Sequence, residues 1–210
     1  MDPTLALFSI LGALAVGAVS PGPSFVLVAR TSIAVSRRDG LAAALGMGVG
    51  GVVFCSLALL GLHAVLAEVP WLYTGLKLAG GLYLVHLGVR IWQGARQPIA
   101  VPDTAEGGAR GVARSFGFAL ATQLSNPKTA VVYASIFAAL LPANPPLWVS
   151  AVLPPAIFTI EAGWYALVAV VFSAGRPRAA YLRSKTWIDR AAGAVMGALG
   201  VRLVAEAVPG

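Results

Sequence analysis

The chain has 210 residues, 58% of them hydrophobic and 11% charged, with a formal net charge of +7. Soluble domains carry about 25% charged residues, so the composition excludes an ordinary soluble domain and points to a bilayer. The basic excess does not signal nucleic acid, because Lys and Arg lie between apolar runs instead of forming one patch interleaved with aromatics.

Six apolar spans are predicted, at 5–35, 40–66, 71–93, 111–141, 147–173 and 188–208. Each reaches the ~20 residues that cross the hydrocarbon of a bilayer. No Lys or Arg precedes the first span, so it lacks the charged start of a signal peptide and is expected to be retained. It contains Ser20-Pro21-Gly22-Pro23-Ser24. Proline removes a backbone donor and clashes with the preceding turn, so this motif breaks or kinks the span at membrane depth. A packing kink is the plain reading. The functional reading starts a half-helix near Ser24, whose exposed amides and positive dipole end attract a carboxylate.

In the second span Ala42, Gly46 and Gly50 recur every fourth residue, a spacing that lets helix backbones approach. Cys55 is the single cysteine, which leaves no internal disulfide and no metal-ligand spacing. The third span carries Lys77, a secondary candidate for substrate contact that can also snorkel outward, and His86, read as packing. Segment 94–110 is a polar link that divides the chain into 1–93 and 111–210, with three spans each.

An odd number of spans per half makes any repeat inverted. A shift of 105 residues places Ser20 on Ser125 and Pro21-Gly22-Pro23 on Asn126-Pro127-Lys128. Matched breaks in corresponding spans are a transporter design. The expected fold is therefore an all-α integral membrane protein of six transmembrane helices, built as two inverted three-helix repeats with helices 1 and 4 broken.

Lys128 lies 17 residues into the fourth span. Charges at that depth face a cavity or a partner, unless the side chain snorkels. Glu161, near the middle of the fifth span, is the one acidic residue that the sequence sets at mid-membrane. Holding a lone carboxylate there costs at least ~2.5 kcal/mol on insertion scales. Lys128, Lys77, a substrate ammonium or a proton are its candidate partners. Gly193 and Gly197 repeat the small-residue spacing in the sixth span, and Arg202 and Glu206 form an i,i+4 pair near its end.

Arg37, Arg38, Arg96, Arg110, Arg176, Arg178, Arg183 and Lys185 all fall in alternate connections, whereas 1–4, 67–70 and 142–146 hold no Lys or Arg. The positive-inside rule then puts the basic connections in the cytoplasm and both termini in the periplasm. Trp71, Trp92, Trp148 and Trp187 stand at span ends, where interfacial tryptophans belong.

Pro21-Gly22-Pro23, Gly40 and Gly46, Lys77 through Gly88, and Asn126-Pro127-Lys128 together resemble the lysine exporter superfamily, LysE/RhtB. The resemblance covers most of the chain, with its length and six-span layout. Ser36-Arg37-Arg38-Asp39 departs from the Gly and Ala common around the basic pair, and spans five and six match in character alone. The resemblance implies a bacterial inner-membrane secondary transporter that exports amino acids in exchange with the proton gradient, and it leaves room for a homodimer.

The substrate-binding candidates are Pro21, Gly22, Pro23 and Ser24 for the first break, Asn126, Pro127 and Lys128 for the second, and Glu161, which is also the proton-coupling candidate. No cofactor, metal or nucleic-acid partner is expected; lipid and a small amino acid are. The sequence has no HExxH helix, paired carboxylates or Ser/His pairing for an enzyme. The alternatives are export of an ion or another small metabolite, or a membrane assembly subunit that moves nothing.

Overall fold

In the computed structural model the described residues are 2–20, 22–68, 70–97, 111–142 and 144–207. They form eight helices and no strand: α1 (Pro3–Val19), α2 (Pro23–Ala34), α3 (Arg37–Glu68), α4 (Pro70–Gly94), α5 (Val112–Leu124), α6 (Pro127–Leu140), α7 (Leu147–Phe172) and α8 (Gly175–Ala207). By length and apolarity α3 over Arg37–Gly61 and α7 can each cross a membrane, and the pair α1 with α2 adds a third crossing if it is one bent span. Large apolar side chains face outward, among them Phe8, Leu57, Leu60, Leu82, Phe118 and Leu167. In water such a surface is a liability; in lipid it is solvated.

Four helices, α1, α2, α4 and α6, start at a proline because the first helical position has no backbone bond to lose. Pro3 follows Asp2, whose carboxylate accepts from the amides of Thr4 at 2.9 Å and Leu5 at 3.0 Å. Pro23 follows an extended Gly22. Pro127 follows Asn126, whose Oδ1 accepts from the Lys128 amide at 3.0 Å. The region predicted as one span over 5–35 is thus two helices whose axes differ by 55°. The region 111–141 is α5 and α6, of 13 and 14 residues, each too short to cross alone.

The last helix departs from expectation. It begins at Gly175 rather than near 188 and runs for 33 residues. Hydropathy reports only its apolar part. The polar turns before it stay helical because Lys185 pairs with Asp189 one turn on and because its ammonium donates to the carbonyls of Ala95 at 3.1 Å and Gly94 at 3.5 Å, closing the end of α4.

Helix α3 packs on α5 and α7, α4 packs on α8 and α6, and α1 lies against α6, α7 and α8. One apolar core gathers Ile10, Leu14, Ile136, Phe137, Leu153 and Met196. The other gathers Phe25, Val28, Met47, Val168 and Phe172. The rings of Phe25 and Phe172 meet edge to face at 5.5 Å, and Tyr181 stacks on Phe25 at 5.5 Å.

The small-residue spacing of α8 is used against α4. A Cβ on Gly88 would stand 2.6 Å from both Gly193 O and Gly197 N, so no side chain fits there. We expect Gly88→Ala to lower stability by ~1–3 kcal/mol, the usual result of overpacking a tight contact. Thermal unfolding of the purified protein in detergent measures it, and an unshifted midpoint would mean that α4 and α8 are not in backbone contact at this seam.

Candidate functional site

The two breaks cross. The start of α6 reaches the first break, and the start of α2 reaches the second. Asn126 Nδ2 donates to Ser24 Oγ at 3.1 Å, and Ser24 Oγ donates to Gln123 Oε1 at 2.6 Å. Gln123 Nε2 lies 3.4 Å from Glu161 Oε2. The Tyr133 hydroxyl donates to Glu161 Oε1 at 3.0 Å. Ser24, Gln123, Asn126, Tyr133 and Glu161 are all buried. This chain of bonds joins α2, α5, α6 and α7, and it meets the demand that buried polar groups be paired.

Lys128 is held separately. Its ammonium donates to the Ser20 carbonyl at 3.2 Å and the Ser20 hydroxyl at 3.3 Å. Ser20 caps the C-terminal end of α1, where the helix dipole favours a cation. The ammonium also lies over Gly22, where a Cβ would come within 3.3 Å of Nζ. The carboxylate of Glu161 and the ammonium of Lys128 therefore have different protein partners, and neither bond set ties one to the other.

Glycine makes the approach of α3 possible. A Cβ on Gly51 would stand 2.9 Å from the Tyr133 hydroxyl and 3.0 Å from Glu161 Cγ. Glu161, Tyr133, Gln123 and Lys128 surround a cavity of about 30 Å³. That is room for a water or two, not for an amino acid. On the other side of Lys128 lies a wide vestibule of about 760 Å³. Ser20, Gly22 and Lys128 line both spaces. Arg90, Gly94, Gln97 and Lys185 place the vestibule at the end of α4 and the start of α8. Lys128 stands at the neck between the two.

Among the sequence candidates, Gly22, Ser24, Asn126, Lys128 and Glu161 come together here. Pro23 and Pro127 are exposed and act as the first residues of α2 and α6; neither lines the small cavity, but Pro23 lines the vestibule. Pro21 and the side chain of Lys77 lie outside the described residues, as does most of the link 94–110. Sequence reasoning missed Gln123, Tyr133, Ser20 and Asp189. Gln123 had a usable signal, since an uncharged polar residue in an apolar span marks a contact between helices.

An apolar exterior, two crossed helix breaks, a buried Glu161 and a half-buried Lys128 at the neck of a vestibule are features of a membrane transporter. The chain belongs to the LysE type translocator family, whose profile matches residues 15–207. The threonine efflux protein of Salmonella typhimurium is 35% identical over 199 residues, which span 90% of this chain and 92% of that one. The threonine efflux protein of Escherichia coli (strain K12) is 32% identical over 195 residues, with the same shares covered. The uncharacterized membrane protein YahN of that strain is 28% identical over 219 residues, covering 99% of this chain and 93% of its own. No solved structure matches the chain.

Proposed function

We propose that this protein exports threonine or a close amino-acid analogue across the bacterial inner membrane, using the crossed breaks as the substrate site. The observation that carries the proposal is the placement of half-buried Lys128 and buried Glu161, two opposite charges with separate partners lining one cavity. The substrate carboxylate meets Lys128 and the first amides of α2, which have no partner within their helix. The cavity of about 30 Å³ must widen to admit the substrate; the substrate ammonium then meets Glu161, displacing Gln123 from its long 3.4 Å contact. Glu161 also takes the proton that couples export to the gradient.

We further infer six spans in two inverted repeats. The contacts support this: α3 meets α7 and α4 meets α8, each helix with its counterpart, and the contacts of α1 with α7 and of α2 with α7 are mirrored by α5 with α3 and α6 with α3. Both termini then lie in the periplasm, and the vestibule opens to the cytoplasm. Cysteines introduced at Ala105 and Pro209 are expected to label oppositely with an impermeant thiol reagent in intact cells. Equal labelling would contradict the six-span reading.

The export test uses cells fed a threonine-containing dipeptide. Cells making the protein are expected to accumulate less intracellular threonine than cells without it. Equal accumulation for threonine and for other amino acids would remove the export reading.

A further inference from the structure

Asp189 is only 3% exposed, and it lines the vestibule together with Lys128, Arg90 and Lys185. Its two oxygens have different surroundings. Oδ2 pairs with Lys185 at 2.6 Å. Oδ1 is buried without a hydrogen-bond partner. A buried carboxylate oxygen left unpaired is costly, and such a group in a native structure calls for an explanation, a bound ligand being one. Lys185 cannot turn to satisfy it without leaving Ala95 and Gly94 at the end of α4, and Thr186 is likewise bound to the Ala95 carbonyl at 3.3 Å.

The charges around this oxygen define what fits. Three cations line the vestibule, and Asp189 is the one acidic residue among its described lining. The surplus draws a carboxylate toward Arg90 and Lys128. The unpaired oxygen of Asp189 accepts from an ammonium that reaches it through the vestibule wall. A zwitterionic α-amino acid carries both groups on one carbon, and a vestibule of about 760 Å³ holds it with its water.

We propose that the vestibule is a separate loading site for the amino acid, in which Asp189 Oδ1 receives the substrate ammonium before the substrate passes Lys128 to reach Glu161. This rests on the export reading and adds a second station to it. The station sorts amino acids from plain carboxylates, which the cations alone would also attract.

The test measures transport in proteoliposomes with substrate supplied on the vestibule side, together with the melting temperature of each variant. Asp189→Asn is expected to raise the half-saturation for L-threonine about tenfold, the usual worth of one hydrogen bond between charged groups, with the maximal rate retained. Thr186→Val cuts a bond from α8 to the end of α4 without touching the vestibule lining and is expected not to raise it. The paired change Asp189→Leu with Lys185→Met strands no buried charge and is expected to show at least the same rise as Asp189→Asn. The amino-free analogue 3-hydroxybutyrate should compete poorly with L-threonine on the wild type and by a smaller margin on Asp189→Asn, where Glu161 still selects for the ammonium. An unchanged half-saturation in Asp189→Asn overturns the proposal, as does an equal rise in Thr186→Val, which would make these contacts a brace for α8. If the wild type moves threonine but Asp189→Asn behaves identically, the loading site fails alone. If the wild type moves no amino acid, the export reading fails and takes this site with it.

Discussion

Glu161→Gln is expected to leave the protein folded and inserted while lowering efflux by at least ~100-fold, the upper range for losing a bond between two charged groups. The fold tolerates the change because of the geometry. Glu161 accepts from Tyr133 at 3.0 Å and faces Gln123 at 3.4 Å. A glutamine presents one oxygen and one NH2 in the same place. Either neighbour can adapt, since the tyrosine hydroxyl can turn to accept. What the amide cannot do is hold a proton in exchange or bind an ammonium as a full charge. If Glu161 were only the partner of a buried lysine, removing its charge would strand that lysine and destabilise the protein by ~3–5 kcal/mol. The bonds from Lys128 to Ser20 argue against that outcome. Efflux and melting temperature are measured on the same preparation. Normal efflux with unchanged pH dependence would take Glu161 out of the mechanism, and joint loss of stability and efflux would restore the ion pair.

The second large effect is expected at Lys128. Lys128→Met fills similar space without charge. Efflux should fall at least ~100-fold, because the substrate carboxylate loses its cation in a site shielded from water. Stability should hold, since an apolar side chain of similar volume replaces a half-buried ammonium whose hydrogen bonds go to Ser20. Lys128→Arg is the companion. Its planar guanidinium over Gly22 is too bulky for the neck between cavity and vestibule, so charge alone should not restore the rate. Full efflux in Lys128→Met would place the carboxylate elsewhere, with the amides of α2 the remaining candidates.

The breaks were legible because their chemistry is local. Asn126 before Pro127 supplies a side-chain cap, and Gly22 before Pro23 supplies an extended residue, so each proline opens a new helix. Proline alone carries no such message. Pro154 and Pro155 lie inside α7, which continues through them, and the residue before them, Leu153, offers no cap. Glu161 was legible because one carboxylate in an apolar run has few bland explanations. Tyr133 was not, since a tyrosine in an apolar span reads as core and only tertiary packing turns its hydroxyl to Glu161. Asp189 was hidden for a different reason. With Lys185 four residues before it, it reads as a surface pair at the start of a span. Its burial depends on the first turns of α8 lying against the end of α4, a contact between residues some 90 positions apart.

The central claim is that the crossed breaks bind an amino acid between Lys128 and Glu161 during export. The most direct test is counterflow of labelled L-threonine in proteoliposomes containing purified protein, comparing wild type with Glu161→Gln in one experiment. The account predicts rapid uptake of label into vesicles preloaded with unlabelled threonine for the wild type and background uptake for the variant. Wild-type uptake at background, or equal uptake by both proteins, would contradict it.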